Sequence, residues 1–207
     1  SSVGRAQDKN SMRNDPRNYL FRSYLEILEK YMPKVFVFEN VSGLLSAKPN
    51  GDYIFPEIIK SMSKFYSVCD DRDMILLNSV HYGVPQTRKR VILIGVRKDL
   101  KLKSEDIYKA IEKTHYSPDM EAKNQTNGLK KYLTVKDAIY DLPKLLPGEG
   151  KEEINHKVVT KNSFLEIVRP NGFSKLYNHV ARKHNNMDQQ RYELLSMNKW
   201  QLKDLAK

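Results

Sequence analysis

The sequence has one cysteine, Cys69, among its 207 residues, so no disulfide framework can form within the chain. It also has no run approaching the ~18 apolar residues that a membrane-spanning helix needs. No apolar signal segment follows the polar N-terminus, and no glycine-rich turn that could hold a nucleotide-like cofactor follows a strand there. Together these absences predict a cytoplasmic protein.

Acidic residues are scarce relative to basic ones. The chain has 25 Asp and Glu against 36 Lys and Arg, which gives a formal net charge of +11 and a pI near 9.5. Basic residues that neutralise phosphates release condensed counterions, so this excess favours a polyanionic partner such as nucleic acid. Charge alone leaves other partners equally open. The five histidines lack zinc-ligand spacing with any cysteine, which argues against a zinc site.

The first third of the chain has a helix–strand–helix pattern. Residues 19–31 carry apolar side chains at three- and four-residue spacing, which predicts a helix that ends before Pro33. Residues 35–38 are a continuous run of β-branched and aromatic residues. Such a run predicts a central strand buried on both faces of a parallel sheet. Residues 53–65 predict a second helix, with Pro56 tolerated in its first turn.

Strand patterns follow the second helix. Residues 66–69 and 74–77 predict one extended strand that contains a bulge, and residues 91–96 predict another strand. The segment between them, 78–90, is short enough for an antiparallel hairpin. Residues 101–131 are mostly polar and predict a mobile surface insertion with a helix at 105–113.

Residues 146–150 contain two glycines and a proline and predict a hinge. We therefore expect two domains, 1–145 and 146–207. Periodicity beyond the hinge is weak until residues 188–196. At 207 residues the chain is long enough for one core and a small appendage.

Glu39, Asn40 and Val41 follow directly on the apolar strand predicted at 35–38. Open α/β sheets build their sites at the carboxyl ends of such strands, so Glu39 is a candidate catalytic carboxyl. The alternative is a carboxylate that pairs with a nearby arginine.

A basic motif precedes the strand predicted at 91–96. It reads Gln86-Thr87-Arg88-Lys89-Arg90. Side chains alternate along an extended segment, so Arg88 and Arg90 share one face and Lys89 lies on the other. The pair suits fixed cations in a site, whereas an Arg-Lys-Arg run is also typical of a solvated surface.

The two motifs, in this order and at this spacing, resemble those of C5-cytosine-specific DNA methyltransferases. Segments at 15–21, 134–143, 178–182 and 188–194 are similar to that family as well. The resemblance implies an α/β fold: a partial S-adenosylmethionine-dependent methyltransferase (Rossmann-like) sheet with a C-terminal antiparallel hairpin. It assigns residues 1–145 to the C-terminal half of the catalytic domain. Residues 146–207 would begin a small, mixed target-recognition domain.

The resemblance also implies a reaction, in which a methyl group passes from S-adenosylmethionine to C5 of a cytosine flipped out of duplex DNA. A restriction-modification role follows from it. Glu39 would act on N3 and the exocyclic amine, Arg90 would hold O2, and Arg88 would brace a phosphate or the catalytic loop. Substrate contacts are implied for Asn40, Gln86 and Ser1.

The family's nucleophilic cysteine belongs to a Pro-Cys motif that the chain does not contain. Residues 1–4 are similar to those that follow it, so we expect the nucleophile and the cofactor motif to precede Ser1. Cys69 is not a substitute, because it has no adjacent base and has nearby acids that raise a thiol pKa. The chain alone is therefore expected to be inactive. Its expected partners are duplex DNA, the N-terminal half, or a second copy.

Arg182 and Lys183 stand with His179 and His184 in a cluster that we interpret as a helix start facing phosphates. A solvated face is an equal alternative. Two other functions stay open at this point: a non-catalytic DNA-binding piece that needs the other half in trans, and a relative that modifies tRNA. The expected location is the bacterial cytoplasm, at the nucleoid.

Overall fold

The computed structural model describes residues 20–49, 51–156, 162–169 and 174–198. The chain divides into two compact units, Ser1–Leu133 and Thr134–Lys207. This division comes earlier in the chain than the boundary at 145/146 that the sequence indicated. We call the first the sheet unit and the second the C-terminal unit.

The sheet unit contains five described α-helices and six strands. The helices are α1 (Leu20–Tyr31), α2 (Ile54–Met62), α3 (Arg72–Ile75), α4 (Ser104–Ala110) and α5 (Pro118–Ala122). The strands are β1 (Val35–Val41), β2 (Tyr66–Val68), β3 (Leu76–Asn78), β4 (Lys89–Arg97), β5 (His115–Tyr116) and β6 (Lys130–Lys131). Short 3₁₀ turns follow β1, β3 and β4.

The main sheet is organised around β4. Strand β1 pairs along one side of it, from Val35 opposite Val96 to Val41 opposite Arg90. Strands β2 and β3 pair one after the other along its opposite side. All three pairings are antiparallel, and β3 with β4 forms the hairpin that the sequence predicted.

The expectation for β1 was wrong in two respects. Within the described residues β1 pairs only with β4, antiparallel, so it is an edge strand rather than the central strand of a parallel sheet. It is also buried on one face only: Phe36 and Phe38 are buried, whereas Val35 and Val37 are about half exposed. A continuous apolar run predicts a strand but does not encode the direction of its neighbour or how many of its faces are covered.

The predicted bulged strand is two short strands with a helical turn between them. Seven residues, 69–75, lie opposite only three of β4, 92–94, and α3 takes up the excess. This gap would leave β4 backbone groups unpaired. The Tyr108 hydroxyl fills it by accepting from the Ile94 amide at 2.8 Å and donating to the Ile92 carbonyl at 2.6 Å. Ser104 Oγ donates to the Ile94 carbonyl at 2.5 Å.

Helices α1 and α2 supply apolar side chains to the core at the spacing that the sequence indicated. Phe21 and Leu28 of α1 are buried with Ile58 and Met62 of α2. Helix α1 ends at Tyr31, two residues before Pro33.

The surface segment 101–131 carries regular structure. Helix α4 ends at Ala110, three residues before the predicted end. Strands β5 and β6 pair in parallel. The Thr114 amide donates to the His81 carbonyl at 2.9 Å, which joins the segment to the 3₁₀ turn after β3.

The C-terminal unit contains three helices and a two-stranded antiparallel sheet among its described residues. They are α6 (Val135–Ile139), β7 (Gly150–Asn155), α7 (Ser163–Val168), β8 (Lys175–Val180) and α8 (Asn186–Asn198). Thr134 and Asp137 form a capping box at the start of α6. Leu165 and Leu176 are its buried apolar side chains in the described ranges. Asp141 is buried with them, and its Oδ2 pairs with Arg169 Nε at 2.9 Å and His156 Nε2 at 3.2 Å.

Candidate functional site

The structure brings the acidic and basic motifs together. Arg90 Nε lies 2.8 Å from Glu39 Oε1, with the Arg90 side chain 22% exposed and the Glu39 side chain 53% exposed. Arg90 Nη1 also donates to the Lys89 carbonyl at 2.8 Å. The ion pair that was the alternative interpretation of Glu39 therefore exists. The partner of Glu39 in it is Arg90, which is itself a predicted site residue.

Strand register explains why the two side chains meet. Val41 lies opposite Arg90, and Glu39 lies opposite Ile92. Directly opposed residues point to the same face of a sheet, so Glu39 and Arg90 are diagonal neighbours on one face, within reach of long side chains. Lys89 points to the other face by alternation. The site is thus a half-exposed carboxylate–guanidinium pair at the carboxyl end of β1.

Arg88 lies just before β4 and its side chain is exposed. No ion pair or hydrogen bond of its guanidinium is present within the described ranges. The Arg88 backbone is held at both ends: its amide donates to Asn78 Oδ1 at 3.0 Å, and its carbonyl accepts from the Ser79 amide at 3.1 Å. Its backbone is thus fixed, while its cation stays available to a ligand.

Gln86 is exposed and its backbone, not its side chain, orders the loop. The Gln86 amide donates to the Val84 carbonyl at 2.7 Å, and the Gln86 carbonyl accepts from Ser79 Oγ at 2.5 Å. Asn78 and Ser79 support the arginine loop and were not predicted from the sequence. Their position after an apolar strand was a usable signal, since Asn and Ser side chains commonly bond nearby backbone groups in turns.

Asn40 lies on β1 between Glu39 and Val41 and is partly buried. Its Oδ1 accepts from the Val41 amide at 2.8 Å. Alternation places it on the face of Phe36 and Phe38, away from Glu39. Asn40 therefore shapes the end of the strand.

The remaining predicted residues lie apart from the pair. Ser1 falls outside the described residues. Arg182 and Lys183 are exposed in the segment between β8 and α8 of the C-terminal unit. The predicted helix-start cluster is wrong for His179, which lies in β8 and whose Nε2 is 2.9 Å from the Pro143 carbonyl. The strand continues through His179 because β7 pairs with it there.

Cys69 is almost completely buried, and its Sγ lies 3.9 Å from Met74 Sδ. Burial, together with nearby carboxylates including that of Glu105, raises the pKa of the thiol. A buried, protonated thiol is a poor nucleophile.

In the ranges that the structure describes, no group of three His, Cys, Asp or Glu residues could hold a metal ion. No helix there is long and apolar enough to cross a membrane.

The side chains of Glu39 and Arg90 can together bind a planar, polar ring. A carboxyl group can donate to a ring nitrogen or accept from an amine, and a guanidinium presents several donors in a fixed plane.

The family model for C-5 cytosine-specific DNA methylase matches residues 2–206. The chain belongs to this family.

Curated relatives agree with this assignment. The chain is 36% identical over 177 residues to Type II methyltransferase M.DdeI of Desulfomicrobium norvegicum, covering 84% of the chain and 38% of that protein. It is 34% identical over 205 residues to Type II methyltransferase M.Bpa9945I of Bacillus paralicheniformis, covering 94% of the chain and 42% of that protein. The chain therefore spans about two fifths of the length of these relatives.

A solved structure supports the fold. The chain superposes with a TM-score of 0.58 on a prophage-encoded DNA modification methyltransferase (E. coli), at 24% identity, over 86% of this chain and 50% of the other. The predicted fold class, a partial methyltransferase α/β sheet, is confirmed.

Methylases of this family generally use S-adenosylmethionine. Sheets of this class hold such a cofactor at a glycine-rich turn on the carboxyl end of a strand. No glycine-rich turn occupies such a position within the described residues, and we assign none of them to the cofactor.

Proposed function

We propose that this methylase chain provides the cytosine-binding part of a DNA (cytosine-5)-methyltransferase of restriction-modification type. The ion pair between Glu39 and Arg90 on the carboxyl end of β1 carries the proposal. Each residue comes from a different motif, and the register of β1 against β4 puts both on one face. A site made of one carboxyl and one guanidinium matches the polar edge of cytosine, which has N3, an exocyclic amine and O2.

The chemistry requires that the ring be made electrophilic. C5 of cytosine is a poor nucleophile until a thiolate adds to C6, which places negative charge on the ring. A protonated Glu39 would donate to N3 as that charge develops, and Arg90 would stabilise O2. When bound to the complete enzyme, S-adenosylmethionine supplies the methyl group. The roles proposed for this chain are to bind, orient and protonate the base.

The target cytosine would be flipped out of duplex DNA, at a cost of a few kcal/mol for unstacking and unpairing. Arg88, with its fixed backbone and unpaired cation, would contact a phosphate near the flipped base. Asn40 and Gln86 would shape the pocket, Ser1 would touch the backbone, and Arg182 and Lys183 would bind phosphates.

The two units take different roles in this proposal. The sheet unit serves catalysis, and the C-terminal unit begins target recognition. A cytoplasmic location at the bacterial nucleoid follows from a duplex DNA substrate.

We also propose that the chain does not transfer methyl groups by itself. Cys69 is buried with a raised thiol pKa. Activity would need a second polypeptide segment that brings the nucleophile and S-adenosylmethionine.

Methyl transfer by the complete enzyme tests the role of the pair. Glu39→Gln and Arg90→Ala should each lower the single-turnover rate at saturating duplex DNA by about 10²–10³, the usual loss for one preorganised contact. DNA affinity should change much less, because the amide preserves the shape of the carboxyl. Labelled S-adenosylmethionine provides the readout, with duplex DNA and tRNA as alternative acceptors.

Matched controls separate site chemistry from a change of charge. Glu26→Gln on the exposed face of α1 and Arg72→Ala at the start of α3 make the same chemical changes away from the pair. Both should retain the parental rate. If the control variants lose as much activity as the Glu39 and Arg90 variants, or if tRNA is the better acceptor, the proposal is wrong.

A further inference from the structure

A polar cavity of about 210 Å³ lies in the sheet unit, apart from the Glu39–Arg90 pair. Its walls come from α3, β3, the 3₁₀ turn after β3, the first residue of β4, and the segment 113–119. Asn78 and Lys89 are a cross-strand pair and both line the cavity. Arg90 points to the opposite face of β4 by alternation. At roughly 30 Å³ of liquid volume per water molecule, the cavity has room for a small hydrated ligand.

Two polar side chains in the cavity wall are more than nine-tenths buried. Asn78 is 7% exposed and Ser117 is 5% exposed. Each uses its oxygen to accept from the backbone, Asn78 Oδ1 from the Arg88 amide at 3.0 Å and Ser117 Oγ from the Met120 amide at 3.3 Å. The Asn78 Nδ2 and the Ser117 hydroxyl proton have no acceptor within the described ranges. Asn78 Nδ2 is not among the fully buried atoms, so a ligand in the cavity can reach it.

Two lysines add cationic donors to the same wall. Lys89 and Lys113 both line the cavity, and neither forms an ion pair with another described residue. Asp73 and Asp119 also line it, and both are exposed. An ammonium that stays unpaired beside two carboxylates remains available to an outside anion.

The pKa of His81 depends on the charged groups around the cavity. Its Nδ1 lies 3.2 Å from the His115 carbonyl, so Nδ1 carries the proton and Nε2 is the acceptor. Burial lowers the pKa of His81 most, and the charges of Lys113 and Lys89 lower it further. The hydrogen bond to His115 acts in the opposite direction and raises it. Both lysines therefore lie close enough to His81 to affect its protonation.

We propose that this cavity binds a phosphate group, held by Lys89, Lys113, Asn78 Nδ2 and the Ser117 hydroxyl. Four donors in the wall of one cavity, two of them charged, match the oxygens of a phosphate, and charge-assisted hydrogen bonds are the strong ones. The phosphate comes either from a DNA backbone or from a free phosphate compound. The site does not depend on the proposed catalytic roles of Glu39 and Arg90, because it lies on the other face of β4.

Binding of a phosphate should raise the pKa of His81, because an added anion favours the imidazolium. By linkage, phosphate affinity should increase as the pH falls through the His81 titration. The charged and titratable groups around the cavity are Lys89, Lys113, Asp73, Asp119, Tyr82 and His81 itself. The test is a pH titration of the 207-residue chain, followed by NMR of the imidazole ring protons. Titrations in the presence and in the absence of inorganic phosphate measure the change in the pKa of His81.

Lys113→Ala is the decisive variant. Without phosphate it should raise the pKa of His81, because one lowering charge is gone. With phosphate it should weaken binding about tenfold, the effect of losing one charge-assisted hydrogen bond. Asn78→Asp keeps the acceptor for the Arg88 amide but replaces the donor nitrogen with an anionic oxygen, so it should abolish the phosphate-dependent shift. Lys123→Ala, an exposed lysine at the end of α5, should behave like the parent chain.

A parallel titration with non-specific duplex DNA identifies the source of the phosphate. A His81 shift with both ligands supports a general phosphate site, and a shift with DNA alone assigns the site to a backbone phosphate. No shift with either ligand, or an equal shift in the Lys113→Ala chain, overturns the proposal.

Discussion

Gly95 shows how one residue in β4 sets the packing of the sheet. It lies opposite Phe36 of β1, and the Phe36 ring covers its Cα. A Cβ built on Gly95 would meet Phe36 Cε1 at 2.0 Å and Cζ at 2.3 Å. The absence of a side chain at Gly95 therefore leaves room for the Phe36 ring, which packs edge-to-face with Tyr66 at a ring-centroid distance of 4.9 Å.

Gly95→Ala should destabilise the chain by about 1–3 kcal/mol, the usual cost of overpacking a core. Urea unfolding measures the change. Phe36→Leu in the same chain should recover part of the loss, because the smaller side chain makes room for the methyl group. If the two substitutions are simply additive, the contact between Gly95 and Phe36 is not the cause.

Candidate site residues could be proposed at the residue scale because they lie in short motifs. Glu39 and Arg90 were identified from the sequence, and the structure places them 2.8 Å apart. The supports of the arginine loop, Asn78 and Ser79, were missed. Their role depends on which backbone groups the fold leaves unpaired, and no local pattern encodes that.

At the scale of elements, the helices and the β3–β4 hairpin were predictable because periodicity and a short connection are local signals. The antiparallel edge position of β1 was not. An apolar run has the same composition beside a parallel or an antiparallel neighbour, and pairing with β4 is decided by contacts between residues 49 to 61 positions apart along the chain.

Tyr108, whose hydroxyl fills the gap between β2 and β3, makes the stability of the folded chain sensitive to high pH. Burial chiefly raises the pKa of Tyr108 from 10.0 to about 12. The folded chain therefore keeps the phenol proton at a pH where the unfolded chain loses it. This stabilisation is fully present below pH 10 and is lost as the pH rises toward 12. Two pKa units correspond to about 3 kcal/mol.

Tyr108→Phe removes that contribution together with the two hydrogen bonds to β4. Near pH 8 the variant should be less stable than the parent, and the difference should shrink as the pH rises from 10 to 12. Denaturant unfolding across this range tests the claim. Tyr140→Phe at an exposed position is the control and should leave the pH dependence unchanged. A constant difference between parent and Tyr108→Phe at all pH values would contradict the assignment.

At the scale of the whole molecule, the two units are held together internally by different means. The sheet unit has a continuous apolar cluster around β4. The described part of the C-terminal unit has few buried apolar side chains and a buried ionic group around Asp141. Its weak hydrophobic periodicity follows from this, since a unit organised by buried charge gives little signal in a hydrophobic pattern. The division at 133/134 therefore has little hydrophobic signal in the sequence.

The central claim is that Glu39 and Arg90 act together, as one catalytic unit, on the cytosine ring. The most direct test is a double-mutant cycle on single-turnover methyl transfer by the complete enzyme, with Glu39→Gln, Arg90→Ala and the double variant at saturating duplex DNA. Residues that act as a unit are strongly non-additive, so the double variant should be about as slow as the slower single variant. Rate losses that multiply in the double variant would contradict the claim.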